Sequence, residues 1–227
     1  MDRTVARIGW WAGLLAIAGI LAYHLGLMVV AGQRVSGVTD AAAIRAYYEH
    51  EAIAVLGVEQ AFVLVLVLIF LVALREAAGR SGVAGMAALV GLSAGVAELP
   101  AILVMLALQA AIVAGVSAGS DVVPLFRFWD VLYNSGTYAL EATWVVAFGL
   151  ALRKRPSFPR WLFGLSIITG ILLAVNVSAI WVGIPDVATL PSAGFLTAWF
   201  VGASIGLRRE ARNPDAMTSA MVAPSRP

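Results

Sequence analysis

The sequence has no cysteine, a single lysine (Lys154) and two histidines, and only 12% of its 227 residues are charged. Without cysteine there can be no disulfide and no thiolate ligand or nucleophile, and the redox compartment cannot be read. With its one lysine among the basic residues of a turn, no apolar run can hold a retinal-type Schiff base. The low charge excludes an ordinary soluble domain, which is about 25% charged and 45–50% apolar. A calculated pI of 9.3 raises the question of nucleic acid. The basic residues, however, fall in short clusters between apolar runs, which is a topology pattern and not a nucleic-acid face. The partner implied is the lipid bilayer.

What is present is apolar: 61% of residues are hydrophobic and the mean hydropathy is +0.92. A hydrocarbon core of about 30 Å takes about 20 apolar residues of helix. Such runs lie near 8–31, 52–74, 83–114, 129–152 and 161–182, with a shorter one at 189–207. The expected fold is therefore all-α, a polytopic membrane protein with a bundle of six transmembrane helices over residues 1–212. Residues 213–227 lack apolar periodicity and read as a disordered tail. The third run is long enough to require tilt, extension beyond the bilayer, or a kink at Pro100, which lacks a ladder amide. Pro191 suits the first turn of the last helix.

Basic residues set the orientation. With both termini cytoplasmic, twelve of the fifteen lysines and arginines fall inside, and Arg34, Arg45 and Arg127 fall outside. The first run could be read as a cleavable signal peptide. It is far longer than the ~7–15 residues of a usual signal core, so it is expected to be retained. In the first external loop, Asp40 can cap a short helix with Ile44, Tyr47, Tyr48 and Glu51 on one side, the tyrosines at headgroup level.

Few polar residues interrupt the spans. Counted from the nearest cytoplasmic arginine, His24, Glu59, Glu98, Tyr138 and Asn176 each lie 15–18 residues along a helix. At ~1.5 Å per residue this is one layer at roughly 22–27 Å, in the outer half of the membrane. Glu141 lies slightly shallower at about 18 Å. Carboxylates facing lipid are costly, about 2.5–3.5 kcal/mol at the centre for Asp, so the three are expected to face the bundle interior or a wet cavity. With no basic residue inside the spans, they require protonation, a hydrogen-bonding amide or tyrosine, or a bound cation. Such groups can also simply fasten helices together.

No motif names a chemistry, and no cofactor can be assigned. His24, Glu59 and Glu98 are metal-ligand types without ligand spacing. His24 and His50 sit at different depths, which argues against opposed haem ligation. HEAIA at 50–54 is not HExxH, and AGVSAGS lacks the lysine of a P-loop. No hydrolase order of Ser, His and Asp is present.

The stretches AAAIRAYYEHEAIAVLGVEQAF, FLVALRE, DVLYNSGTYALEATWVVAFGLAL and RPSFPRWLFGLSIITGILLAVN extend this pattern. Together they resemble a group of bacterial six-helix membrane proteins known as domain of unknown function 4386, over most of residues 8–207. The FPRWLFG turn is the most specific part. The resemblance implies a bacterial inner-membrane location and six helices, and carries no residue roles.

The leading expectation is an integral membrane protein that binds, senses or passes a small cationic, protonatable or amphiphilic ligand. Its outward-facing polar pocket would be formed by His24, Glu59, Glu98, Tyr138, Glu141 and Asn176. Two alternatives stand beside it. One is a membrane-embedded enzyme acting on a lipid-like substrate with Glu59 or Glu98 as acid/base. The other is a structural subunit, as a homo-oligomer or with a membrane partner.

Overall fold

The computed structural model describes residues 1–32, 40–181 and 189–212, with side chains of 179–181 and 189–191 outside the description. The tail at 213–227 and the start of the first loop therefore lie outside the described residues. Every element among the described residues is helical: α1 (Arg3–Ala31), α2 (Ala41–Tyr48), α3 (Ala52–Ala78), α4 (Gly82–Ser117), α5 (Val123–Val131), α6 (Tyr138–Leu152), α7 (Trp161–Trp181) and α8 (Thr189–Arg212). A π-helical turn, Leu132–Thr137, joins α5 to α6.

Local chemistry sets the ends. Asp2 caps α1 by accepting from the Thr4 amide at 2.6 Å, and Asp40 caps α2 through the Ala42 amide at 2.9 Å. Gly32 and Gly79, with φ of 75° and 84° and extended ψ, take backbone conformations open to glycine where α1 and α3 end. Pro191 falls in the first turn of α8, and Pro100 lies inside α4, which is continuous. At 36 residues α4 spans about 54 Å, so it extends beyond a ~30 Å hydrocarbon core.

Four helices, α1, α3, α4 and α7, are long and apolar enough to cross a membrane. The α5–π–α6 path covers 123–152 but is divided by the π turn. The outer surface is apolar to match: Val29, Phe62 and Val83 are more than 70% exposed. A protein in water rarely displays so much large apolar side chain.

Going round the bundle, α1, α3, α4, α6, α7 and α8 pack each against the next, and α8 closes back on α1. Helix α3 also touches α6 and α8. Consecutive antiparallel packing collects at one end every described lysine and arginine except Arg45 and Arg127. That end is fastened by side chains on helix-end carbonyls, which lack intrahelical partners. Arg155 donates to the Ala78 carbonyl at 2.6 Å and Arg75 to that of Gly79 at 2.7 Å. Ser157 hydrogen-bonds Glu210.

Helices approach closely where glycine faces a neighbouring side chain. Gly9, Gly13, Gly19 and Gly26 of α1 face Ala73, Phe70, Val63 and Leu56 of α3. The buried side chains form two clusters. Toward the arginine-rich end, Phe70, Trp144, Trp199 and Phe200 form an aromatic core with ring centroids 5.0–6.1 Å apart. Toward the other end, Tyr23, Ile44, Tyr47, Tyr48, Phe126 and Trp129 form the second. Tyr47 and Tyr48 are thus buried against protein, while Glu51 is exposed at the start of α3. Helix α2 turns its aromatic face inward, against the second cluster.

Candidate functional site

Glu98 is 6% exposed, and the Trp144 indole N–H donates to its Oε2 at 2.5 Å. Gly95, one turn earlier on α4, leaves room for Leu71 of α3 and borders Trp144. The carboxylate therefore sits at the α3–α4–α6 junction, on the upper edge of the aromatic core. Partly buried Glu141 lies one turn before Trp144 on α6, level with Glu98 by the contacts of Gly91 with Phe148 and of Gly95 with Trp144.

The packing register fixes relative depth. Leu71 meets Gly95, and Gly57 meets Gln109, so Glu98 lies level with Leu68 of α3. That is seven positions, about 10 Å, from the level of Arg75, and nine positions, about 13 Å, from Glu59. The expectation of one layer in the outer half is thus overturned. Counting from Arg80 ran through the 79–81 turn and through the start of α4, which overhangs the end of α3. Glu98 belongs nearer the arginine-rich end.

Glu59 is corrected a second time: it is exposed, beside Val55, Val58 and Phe62 on the outward face of α3. It does not converge with Glu98. Nor does His24, which lies at the opposite end of the bundle, partly buried with its ring edge-on to Tyr23 at 5.3 Å. Tyr138 is buried and packs on Tyr133 at 5.4 Å. Asn176 is 1% exposed and donates to Ser192 of α8 at 3.3 Å, leaving its Oδ1 without a protein donor. Of the six expected residues, the structure sets Glu98 and Glu141 at one level and places Tyr138 and Asn176 in the interior within one turn of that level.

His24 instead lines a narrow cleft of about 10 Å³ at the tyrosine-rich end. Helix α1 supplies Tyr23, His24 and Leu27; α2 supplies Tyr47 and Tyr48; α4 supplies Gln109; α5 and the π turn supply Trp129 and Tyr133. The aromatic rings continue one to the next, Tyr47–Tyr48, Tyr48–Trp129 and Trp129–Tyr133, at 4.9, 6.2 and 5.4 Å. Gln109 anchors the floor: its Oε1 accepts from Tyr23 and its Nε2 donates to the Ile53 carbonyl, both at 2.9 Å. One amide thereby ties α1, α3 and α4. Asn134, fully buried in the π turn, donates to Asp130 at 2.8 Å.

Sequence reasoning followed charge and so missed Gln60, Gln109 and Trp144. A signal was present: two of the three glutamines lie inside apolar runs, where an amide needs a partner as a carboxylate does. Among the described residues no three of His, Asp and Glu gather as metal ligands. No family model, curated protein or solved structure matches the chain.

Proposed function

We propose that this chain is a six-span protein of a bacterial inner membrane, with the arginine-rich end in the cytoplasm, and that it binds a small organic cation in the tyrosine-rich cleft. The orientation is supported by the basic residues gathered at one end. The spans added to the four apolar helices are the α5–π–α6 path and α8. The likeness to the six-helix proteins of domain of unknown function 4386 belongs to the same proposal.

One observation carries the ligand class. The cleft is walled by tyrosines, Trp129 and His24 from separate elements, with no lysine or arginine among the described residues of its lining. Ring faces attract a cation, by about 2 kcal/mol or more once it is desolvated. Its volume suffices for about one water, so an organic cation needs the cleft to widen. The enzyme alternative draws less support, because outward-facing Glu59 has Val55, Val58 and Phe62 beside it and Glu98 is covered.

Two measurements test the proposal. Single cysteines at Ser120 and Lys154, both exposed, report topology. An impermeant maleimide should label the first and not the second in intact cells, and the reverse pattern would invert the orientation. Choline and its neutral isostere 3,3-dimethylbutanol, titrated against the purified protein, report the ligand class. Choline should bind at least tenfold more tightly, with the preference lost in Tyr133→Ala and kept in Tyr133→Phe. Equal binding of the two would overturn the cation reading.

A further inference from the structure

Three buried polar atoms, the Gln60 Oε1, the Ser135 Oγ and the Asn176 Oδ1, have no hydrogen-bond partner from the protein. Gln60 and Asn176 are themselves more than nine-tenths buried. Turning the Asn176 amide over only exchanges which of its ends is left over. The three come from different elements, α3, the π turn and α7, and lie at successive depths. The α3–α4 register sets Gln60 level with Leu106, three residues short of Gln109. Ser135 lies one turn above Tyr138 on the α5–α6 path. Gly149 meets Ser166 and Gly170 meets Val146, which sets Asn176 level with Ala139 and Leu140. All three fall between the cleft floor at Gln109 and the Glu98–Glu141 pair.

A buried amide or hydroxyl left unbonded in hydrocarbon loses its full hydrogen bond. Water is the molecule small enough to satisfy such a group, at two to four bonds each. Polar side chains add to the series in both directions. Asn134 and Asp130 lie toward the cleft, and Tyr138 and Glu141 lie toward Glu98. The π turn lies within this interval, and π turns recur where a helix serves a function.

The arginine-rich side of Glu98 is different. There Gly91 meets Phe148, Gly95 meets Leu71, and the Phe70–Trp144–Trp199–Phe200 rings fill the centre. Ser166 is satisfied by Trp199 at 2.7 Å and by the Leu162 carbonyl at 2.8 Å. One unpartnered atom, the Ser204 Oγ, lies here, against Gly13 on the α1–α8 seam.

We propose that a file of buried water links the tyrosine-rich cleft to Glu98 through Gln60, Ser135 and Asn176, so that Glu98 exchanges its proton with that end of the bundle alone. The ligand is water and the proton it relays; no other bond forms or breaks, and the proton leaving Glu98 enters bulk water at the cleft. The groups facing Glu98 are few. From α6 there is Glu141. From α3 there is Leu71, with Arg75 seven positions away on the Gly79 carbonyl and Glu59 turned outward. Helices α7 and α8 have no titratable residue between Trp161 and Leu207 among the described residues. The proposal needs no cation in the cleft, so it survives or fails apart from the choline titration.

Infrared spectroscopy of the full chain in lipid nanodiscs tests it. The carboxyl C=O band removed by Glu98→Gln should shift within seconds of transfer to D₂O. In the double variant Gln60→Leu, Asn176→Leu the shift should slow at least tenfold, and in Ser204→Ala it should not change. A band that does not shift in the parent protein, or that shifts as fast in the double variant, would overturn the water file. So would the absence of any band dependent on Glu98. Sidedness is read with single cysteines, for which the cysteine-free chain is already the background. In proteoliposomes of known orientation, Ag⁺, about the size of water, should consume Asn176→Cys from the tyrosine-rich side only and Ala94→Cys from neither. Reaction of Asn176→Cys from the arginine-rich side would refute one-sided access.

Discussion

The two ends of the bundle are built on different rules. In the arginine-rich half, glycines let helices meet and aromatic rings fill what remains, so most buried groups are apolar. Its polar side chains lie mainly at the helix ends, where Arg155 and Arg75 occupy carbonyls. In the tyrosine-rich half, large amphipathic side chains join the small ones, helices are tied through Gln109 and Tyr23, and Asn134 bonds Asp130 along the α5–π path. The lesson is a division of labour. The first half is held by close apolar packing, and the second places polar groups among its helix contacts.

Substitutions that break one half and spare the other sharpen this contrast. The largest effect is expected from Trp144→Ala, which opens a cavity in the aromatic core and removes the donor to Glu98. A loss of about 3–5 kcal/mol should appear in denaturant unfolding in detergent. Gly13→Val, which drives a side chain into Phe70 and Ser204, should cost about 1–3 kcal/mol by the same measurement.

Gln109→Leu belongs to the other half and leaves the Tyr23 hydroxyl and the Ile53 carbonyl unsatisfied. About 1–3 kcal/mol is expected. Hydrogen exchange should rise at the ends of α1 and α3 near the cleft while the aromatic core stays protected. Glu59→Leu should be smallest, within about 0.5 kcal/mol, as for a surface change. A large loss there would place Glu59 in the interior and contradict the register.

Much of the fold could be read from the sequence because the solvent imposes it. Apolar runs of membrane length mark α1, α3, α4 and α7, and Asp40 announces α2 before a tyrosine pair. The candidate site was less legible, for three physical reasons. The depth of Glu98 depends on how far α4 overhangs α3, which a count from Arg80 cannot see. The face of Glu59 is hidden because α3 is apolar all round, so its periodicity is silent where VEQAFVLVLVLIF runs. The π turn, which helps set Tyr133, Asn134 and Tyr138, has no sequence signature. Trp144 in an apolar run reads as packing, and only the fold shows its indole aimed at a carboxylate.

The division itself is tested most directly by water-edited solid-state NMR of the full chain in bilayers, which transfers polarisation from water to the side chains it touches. Signals of Gln60, Ser135, Asn176 and Tyr138 should rise early, and those of Phe70, Ala94 and Phe148 should rise only late, by spin diffusion. Equal build-up in the two sets, or early build-up around Phe70 and Phe148, would contradict a wet tyrosine-rich half set above a sealed arginine-rich one.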